Sequence, residues 1–400
     1  MKYWIEGLQK KWMYTEKLLL HILKRKGHAH ALDSDSIIIA SLCDVTDIPK
    51  LAKLRARYPD NKILAGGHFA KIGVVAMSLF ADAVCVGHAY DMFNCTSWGE
   101  LCELPCVFTG DRGKQIDVSY NIDWRLAPVI QTDSKRFYVW GGIGCKNKCS
   151  FCLTSWTEPH IDRPGVKTVA ARAKKQIGHK GSVKIISNAY SPSLGDDLVQ
   201  DMLLKDLLRV RSNTKRKMIR CGLEFATTAS RKRNAKPITD EQLRRAIAHA
   251  GDLNLDLHLF CIGGYDRIED WDCVLDAIPE SDAMSPRVFF KWTNLEYQQK
   301  TPLWRHVKEI DFDRYLDASF TARFFRKAAH KNKRVRVMPV KYPAHAIWRI
   351  CMSNVQDMEQ YKIVEKAKNV KDMEEIKRLF ATIKPWENDL GFVRTRFRLG

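Results

Sequence analysis

The sequence predicts an α/β fold with two parallel-sheet units, a small one over residues 32–92 and a larger one over 135–340, and three observations carry that prediction. Short apolar runs of strand length alternate with amphipathic segments of helix length, the pattern of strands joined by crossover helices. Two of those runs end in paired glycines, at Gly66-Gly67 and Gly263-Gly264. The chain has 400 residues, 45% of them apolar, enough for two cores of ordinary density.

Taken in order, residues 1–31 read as a basic helical extension closing on His28-Ala-His30, where a polar loop is preferred to a metal pair. Ile37-Ile38-Ile39-Ala40 is a short buried strand, 48–58 a helix, 62–65 a second strand, 72–80 a second helix and 83–86 a third strand. This alternation makes 32–92 a small parallel, Rossmann-like unit. Residues 93–134 read as a linker whose Cys95, Cys102 and Cys106 are small half-buried residues rather than a second cluster. Six strands follow, at 136–140, 183–187, 218–223, 256–262, 287–291 and 334–339. Between them lie helices at 168–177, 198–210, 240–250, 268–278 and 312–331. The tail from Ala346 to Phe380, within a basic C-terminal region 341–400, reads helical.

The formal net charge is +20, which points to polyanionic partners more than to a fold. Basic residues cluster at 209–220, at Arg231, Lys232, Arg233 and Lys236, along 323–336 and at Arg394, Arg396 and Arg398. Interleaved aromatics such as Phe324, Phe325 and Phe397 suit phosphate contacts beside base stacking, so a nucleic-acid partner is expected. Twelve cysteines without a secretory signal predict a reducing cytoplasmic location. The apolar stretch Leu18 to Leu23 is too short to span a bilayer, so no membrane partner is expected.

The run Gly142-Ile-Gly-Cys145-Lys-Asn-Lys-Cys149-Ser-Phe151-Cys152 carries the chemistry. Three thiolates at i, i+4 and i+7 can wrap one corner of a 4Fe-4S cluster and leave one iron open to a non-protein ligand. A zinc site would want a fourth Cys or His close by, and the nearest candidate is His160.

This motif resembles the signature of the radical S-adenosylmethionine (radical SAM) superfamily, and residues 136–340 resemble its partial (β/α)6, TIM-like barrel. The resemblance implies that Cys145, Cys149 and Cys152 bind the cluster, whose open iron chelates S-adenosylmethionine, and that Phe151 lies beside that cofactor. It also implies that Ser187 and Asn188 meet the cofactor's amino group and Glu224 its ribose or ammonium. Ile262, Gly263 and Gly264, followed by Glu269 and Asp270, would cradle adenine. A reductant protein such as flavodoxin or ferredoxin is the implied electron donor.

Ile63 to His68 and Ala81 to His88 resemble the cobalamin-binding unit of one branch of the superfamily. Cys43-Asp44-Val45-Thr46-Asp47 stands where some members have an Asp-x-His-x-x-Gly loop, and cobalamin is not the favoured expectation. The favoured resemblance is to bacteriophage DNA-hypermodification enzymes, implying DNA rather than RNA as the partner and isomerisation of N-linked to C-linked glycyl-thymidine in the cytoplasm of a host. No catalytic residue is identified, although Cys221, Cys261 and Tyr265 are candidate hydrogen donors. The alternatives are a cobalamin-dependent methyltransferase, a tRNA-modifying radical enzyme and a metal-stabilised nucleic-acid-binding protein.

Overall fold

The computed structural model describes the chain apart from residues 9–12, 89, 112–114, 119, 121, 132–135, 179–180, 187–197, 200–201, 211–216, 281–286, 295–300, 316, 318, 339–342, 370–372, 383–392 and 395–400. Its contacts divide the chain into unit 1 (residues 1–142, 157–185 and 348–400) and unit 2 (143–156 and 186–347).

Unit 1 is built on β1 (Lys2–Glu6), α1 (Met13–Arg25), β2 (Ala29–His30), β3 (Ile37–Ser41), α2 (Ile48–Arg57), β4 (Ile63–Gly66), α3 (Ala70–Ser78), β5 (Ala83–Cys85) and β6 (Val107–Phe108). The spatial order is β2-β1-β3-β4-β5-β6, parallel throughout except for the antiparallel pair β5–β6. The stretch read as a basic helical extension therefore opens with a strand inside the sheet. Lys2-Tyr-Trp-Ile-Glu6 alternates in the manner of a half-buried strand, with Tyr3 fully buried and Ile5 nearly so. His28 and His30 are structural: His28 Nε2 lies 2.9 Å from the Phe93 carbonyl, and His30 accepts from the Ile5 N–H at 3.4 Å while stacking on Trp4.

The continuous apolar runs of β3, β4 and β5 fill the core because parallel strands are covered on both faces. α2 begins with Pro49 in its first turn, where the missing N–H costs nothing. Of the C-terminal helices Pro343–Ser353, Met358–Lys366 and Met373–Thr382, the first contributes Arg349, whose Nη2 donates to Asp44 Oδ2 at 2.6 Å in the loop after β3.

Unit 2 holds a five-stranded parallel sheet in sequential order: β7 (Met202–Leu203), β8 (Met218–Glu224), β9 (Asp256–Gly263), β10 (Val288–Asn294) and β11 (Arg336–Met338). The helices Thr228–Arg233 (α4), Asp240–Asp252 (α5) and Phe320–Lys331 (α6) intervene. Trp271, Phe290 and Phe324, all fully buried, anchor its core, with edge-to-face contacts linking Trp271 to Trp292 and Phe290 to Phe324.

The strands 136–140 and 182–186 belong to a different sheet, so the six expected strands do not close into one barrel among the described residues. The reason lies in 198–210, expected to be a helix. It carries the strand pieces 198–199 and 202–203 before a single helical turn at Leu204–Leu207, and β7 takes the place beside β8 that the strand at 183–187 was expected to fill.

Candidate cluster and cofactor sites

In unit 2 the cysteine loop is shaped by its own backbone. Gly144, at φ +64°, makes the left-handed turn into Cys145 that a side chain would disfavour. Further on, the Cys152 N–H reaches the Cys149 carbonyl at 3.2 Å, the Ser155 N–H reaches the Cys152 carbonyl at 3.2 Å, and the Trp156 indole donates to the Cys149 carbonyl at 2.8 Å. Ser150 ties the loop to the end of α4, its hydroxyl hydrogen-bonded to Asn234 Oδ1 and its N–H 3.4 Å from the Asn234 carbonyl.

Cys145 and Cys149 are buried and Cys152 is half-buried. Burial pushes the Cys149 thiol up to about 11. Lys236 pulls the other way, and Cys152, Cys145 and Glu224 add to the rise. The three thiols thus share one electrostatic neighbourhood. Among the described residues no three His, Cys, Asp or Glu side chains are gathered closely enough to hold a metal ion, so the fit to a cluster rests on the donor set of three soft thiols beside a cation.

Glu224 closes β8 at φ +67°, where the register against β9 shifts between Gly222 and Glu224. Such a bulge re-aims a side chain at a strand end. Here Glu224 Oε1 comes to 3.4 Å from Lys236 Nζ, both side chains being largely buried. Burial alone would lower Lys236, but Glu224 and the thiols of Cys149 and Cys152 outweigh it and hold the ammonium above the usual lysine value.

Phe151 meets Phe225 edge-on at 5.5 Å, and Phe225 meets Tyr265 at 4.9 Å. Ile262 is buried, Gly263 ends β9, and Gly264, at φ +86°, lines a cavity of about 600 Å³ with Ser150, Ser230, Asn234, Tyr265 and Asp270. Asp266 in its wall accepts from the Ala226 N–H at 2.7 Å and from Ser230 at 3.3 Å. Burial nevertheless raises its pKa. The other two expected cofactor contacts, Ser187 and Asn188, lie outside the described residues. Cys221 and Cys261 are fully buried in the apolar core of unit 2, the setting of inert thiols.

Three residues escaped the sequence reading. Asn234 carries no motif, Asp266 lies in the segment before Glu269 and Asp270 but takes no role of its own from it, and Lys236 falls in a run of cations expected to face a polyanion. Cations of that run and of the one along 323–336 are spoken for: Arg231 is fully buried against Asp240, Lys327 and Lys331 pair with Asp272 and Asp276, and Arg323 pairs with Asp317.

In unit 1 the order β2-β1-β3-β4-β5 puts the reversal of strand order between β1 and β3, and ligands of such sheets bind outside the carboxyl ends of the strands there. The connections leaving those ends begin at Gly7, Leu42, Gly67 and Val86. Because β1 precedes β3, the stretch to compare with Asp-x-His-x-x-Gly is 7–12, and its sequence also contains no histidine. Tyr14, in the first turn of α1, and Tyr90, beyond β5, bury hydroxyl oxygens that have no hydrogen-bond partner among the described residues. Two such orphans at one edge fit a ligand with polar groups, as the amides and phosphate of a corrinoid are.

Lys71 in α3 pairs with Glu158, both buried, and its Nζ stands 3.3 Å from His68 Nδ1. His88 packs among Tyr120, Trp140 and Tyr90. Burial, reinforced by the Lys71 charge, lowers both His68 and His88 to about 3. Both rings are therefore neutral in the folded state, whereas an unfolded chain takes up their protons near 6.5. Stability from this pair is present above 6.5 and is lost as pH falls from 6.5 toward 3. The thermal midpoint of unit 1 is expected to drop between about pH 7 and about pH 5. Scans of His68→Gln and His88→Gln across that interval check it, since each should flatten the slope.

No protein-family model matches the chain. A curated tRNA-2-methylthio-N(6)-dimethylallyladenosine synthase of Natranaerobius thermophilus is 22% identical over 215 residues, covering 49% of this chain and 47% of that protein. The chain thus spans about half the length of the curated relative it matches. Among solved structures, the radical S-adenosylmethionine methyltransferase TsrM of Kitasatospora setae, with cobalamin and a 4Fe-4S cluster bound, superposes with a TM-score of 0.58 at 10% identity, covering 92% of this chain and 99% of that one. The cobalamin-dependent S-adenosylmethionine radical enzyme OxsB, with aqua-cobalamin bound, gives 0.54 at 12% identity, covering 96% and 79%. At such identities the likeness is one of fold alone: this chain shares the overall fold of those two structures. Among the described residues no helix is long and apolar enough to cross a membrane.

Proposed function

We propose that this chain is a cobalamin-dependent radical SAM enzyme, with methyl transfer as the favoured reaction. The observation that carries the reading is the parallel order β2-β1-β3-β4-β5, with the orphaned hydroxyls of Tyr14 and Tyr90 at its carboxyl edge, in a chain that shares its fold with cobalamin-bound TsrM and OxsB. When bound, the cofactors would supply reductive cleavage of S-adenosylmethionine and carriage of a methyl group on cobalt.

The chain's own residues do the holding and orienting. Cys145, Cys149 and Cys152 ligate three irons. Glu224 accepts a hydrogen bond from the ribose or ammonium of the cofactor, and Phe151 with Ile262, Gly263 and Gly264 flanks adenine. Ser187 and Asn188, outside the described residues, are the sequence's candidates for the amino-group contacts. Tyr14 and Tyr90 donate to the corrinoid periphery. The net charge of +20 supports a nucleic-acid-linked substrate, and a flavodoxin or ferredoxin would deliver the electron. Glycyl-thymidine isomerisation, which requires no corrinoid, gives way to this reading because it leaves the edge of the unit 1 sheet without a use.

Anaerobic reconstitution with iron, sulfide and hydroxocobalamin tests the proposal. Retention of one corrinoid per chain, with 5'-deoxyadenosine and S-adenosylhomocysteine formed from S-adenosylmethionine under dithionite, is the expected outcome. An active cluster on a chain that retains no corrinoid would return the protein to corrinoid-free radical chemistry. Parallel reactions with DNA and with tRNA separate the two polymers.

A further inference from the structure

We propose that Lys236 is a positioning residue that acts through the cluster ligands: a buried cation beside Cys149 and Cys152 that raises the reduction potential of the bound iron–sulfur cluster. The inference rests on the reading of the three cysteines as cluster ligands and adds to it a residue outside the motif.

Four features place the charge there. The Lys236 side chain is only 11% exposed. Its Nζ lies 5.7 Å from the ring centre of Phe151, which sits between the second and third cysteines in sequence. Its backbone is fixed on both sides, the N–H held by the Arg231 carbonyl at 2.8 Å and the carbonyl by the Ile238 N–H at 2.8 Å, just after Ala235 at φ +54°. The cation is also provided with space, because a Cβ at position 222 would come within 2.8 Å of Nζ and 2.3 Å of Glu224 Oε1. Gly222 leaves that volume to the pair.

A cluster held by three thiolates gains one more negative charge when it is reduced. A cation in a poorly screened interior stabilises the reduced state more than the oxidised one, so it moves the potential upward. Glu224 tempers the effect from 3.4 Å. Opposite signs follow for the two partners, which a purely architectural role for the ion pair would not give.

The test is a redox titration of the reconstituted full chain, followed by the electron paramagnetic resonance of the reduced cluster in the absence of S-adenosylmethionine. Lys236→Met is expected to shift the midpoint to more negative potential, Glu224→Gln to shift it to more positive potential, and Lys236→Arg to leave it near that of the unmodified protein. Should Lys236→Met fail to fold, Glu224→Gln and Lys236→Arg still decide the matter. Clusters that assemble in all variants with one common midpoint, or a negative shift for Glu224→Gln, would overturn the inference. Failure of the unmodified chain to take up iron and sulfide would instead overturn the cluster reading beneath it.

Discussion

Cys149→Ala is expected to abolish cluster assembly and S-adenosylmethionine cleavage while leaving the chain folded. Cys149 is 5% exposed and is the middle thiol of the three. Its side chain is small, so truncation removes one sulfur and leaves little to collapse. Its carbonyl, which holds the Cys152 N–H and the Trp156 indole, is unaffected by the change. Iron and sulfide content should fall to background, and 5'-deoxyadenosine formation should fall by more than about 100-fold, the upper end of what loss of a supporting partner costs at a metal site. Cys261→Ala, in the core of unit 2, is the matched control and should keep its iron. Iron content in Cys149→Ala equal to that of the unmodified chain would remove the central assignment.

Gly67→Ala should be strongly destabilising to unit 1. The residue stands at φ +99°, and a Cβ there would lie 2.4 Å from the Leu42 carbonyl oxygen and 2.9 Å from the Leu42 nitrogen. Both are backbone atoms, fixed because the Leu42 N–H donates to the Gly66 carbonyl at 2.8 Å and the Leu42 carbonyl accepts from the Phe69 N–H at 3.2 Å. Backbone strain and overpacking together predict a loss of about 2–6 kcal/mol. Gly110 separates the two contributions, since it has nearly the same φ of +98° and, among the described residues, nothing within 4 Å of the added carbon. Gly110→Ala should therefore lose only the strain, about 1–3 kcal/mol. Circular dichroism melts of both variants check the contrast. Equal losses would mean that the Gly67 loop can move, and corrinoid retention should fail in Gly67→Ala alone.

What the sequence made legible follows the physics of each signal. β3, β4 and β5 are uninterrupted apolar runs between turn residues, so burial on both faces declares them, whereas β9 alternates buried residues with the half-buried Asp256, His258 and Phe260 and is declared by its period of two. β1 escaped because five alternating residues at the start of the chain, followed by lysines, resemble the front of a basic helix. Its absence from the reading also misplaced the loop to be compared with the histidine-bearing one. The segment 198–210 misled because Leu198-Val199 and Met202-Leu203 satisfy helical spacing as readily as two short strands. The expected helix at 312–331 divides into Phe312–Tyr315 and Phe320–Lys331. The cysteine motif was legible because its spacing is local. Lys236 was not, since a buried cation and an exposed one look alike in sequence until Glu224 is brought to it from twelve residues away.

Unit 1 is assembled from three stretches of chain, with residues 143–156 and 186–347 intervening. On the ribosome its sheet strands β1 to β6 emerge early, but the helix carrying Arg349, which grips Asp44 in the loop after β3, is made more than three hundred residues later. The first unit to begin is thus the last to be completed, while the sheet of unit 2, from Met202 to Met338, is synthesised without interruption in the interval. For biosynthesis this implies a waiting period in which the early sheet lacks its C-terminal partner, and for engineering it implies that no single cut releases the whole of unit 1.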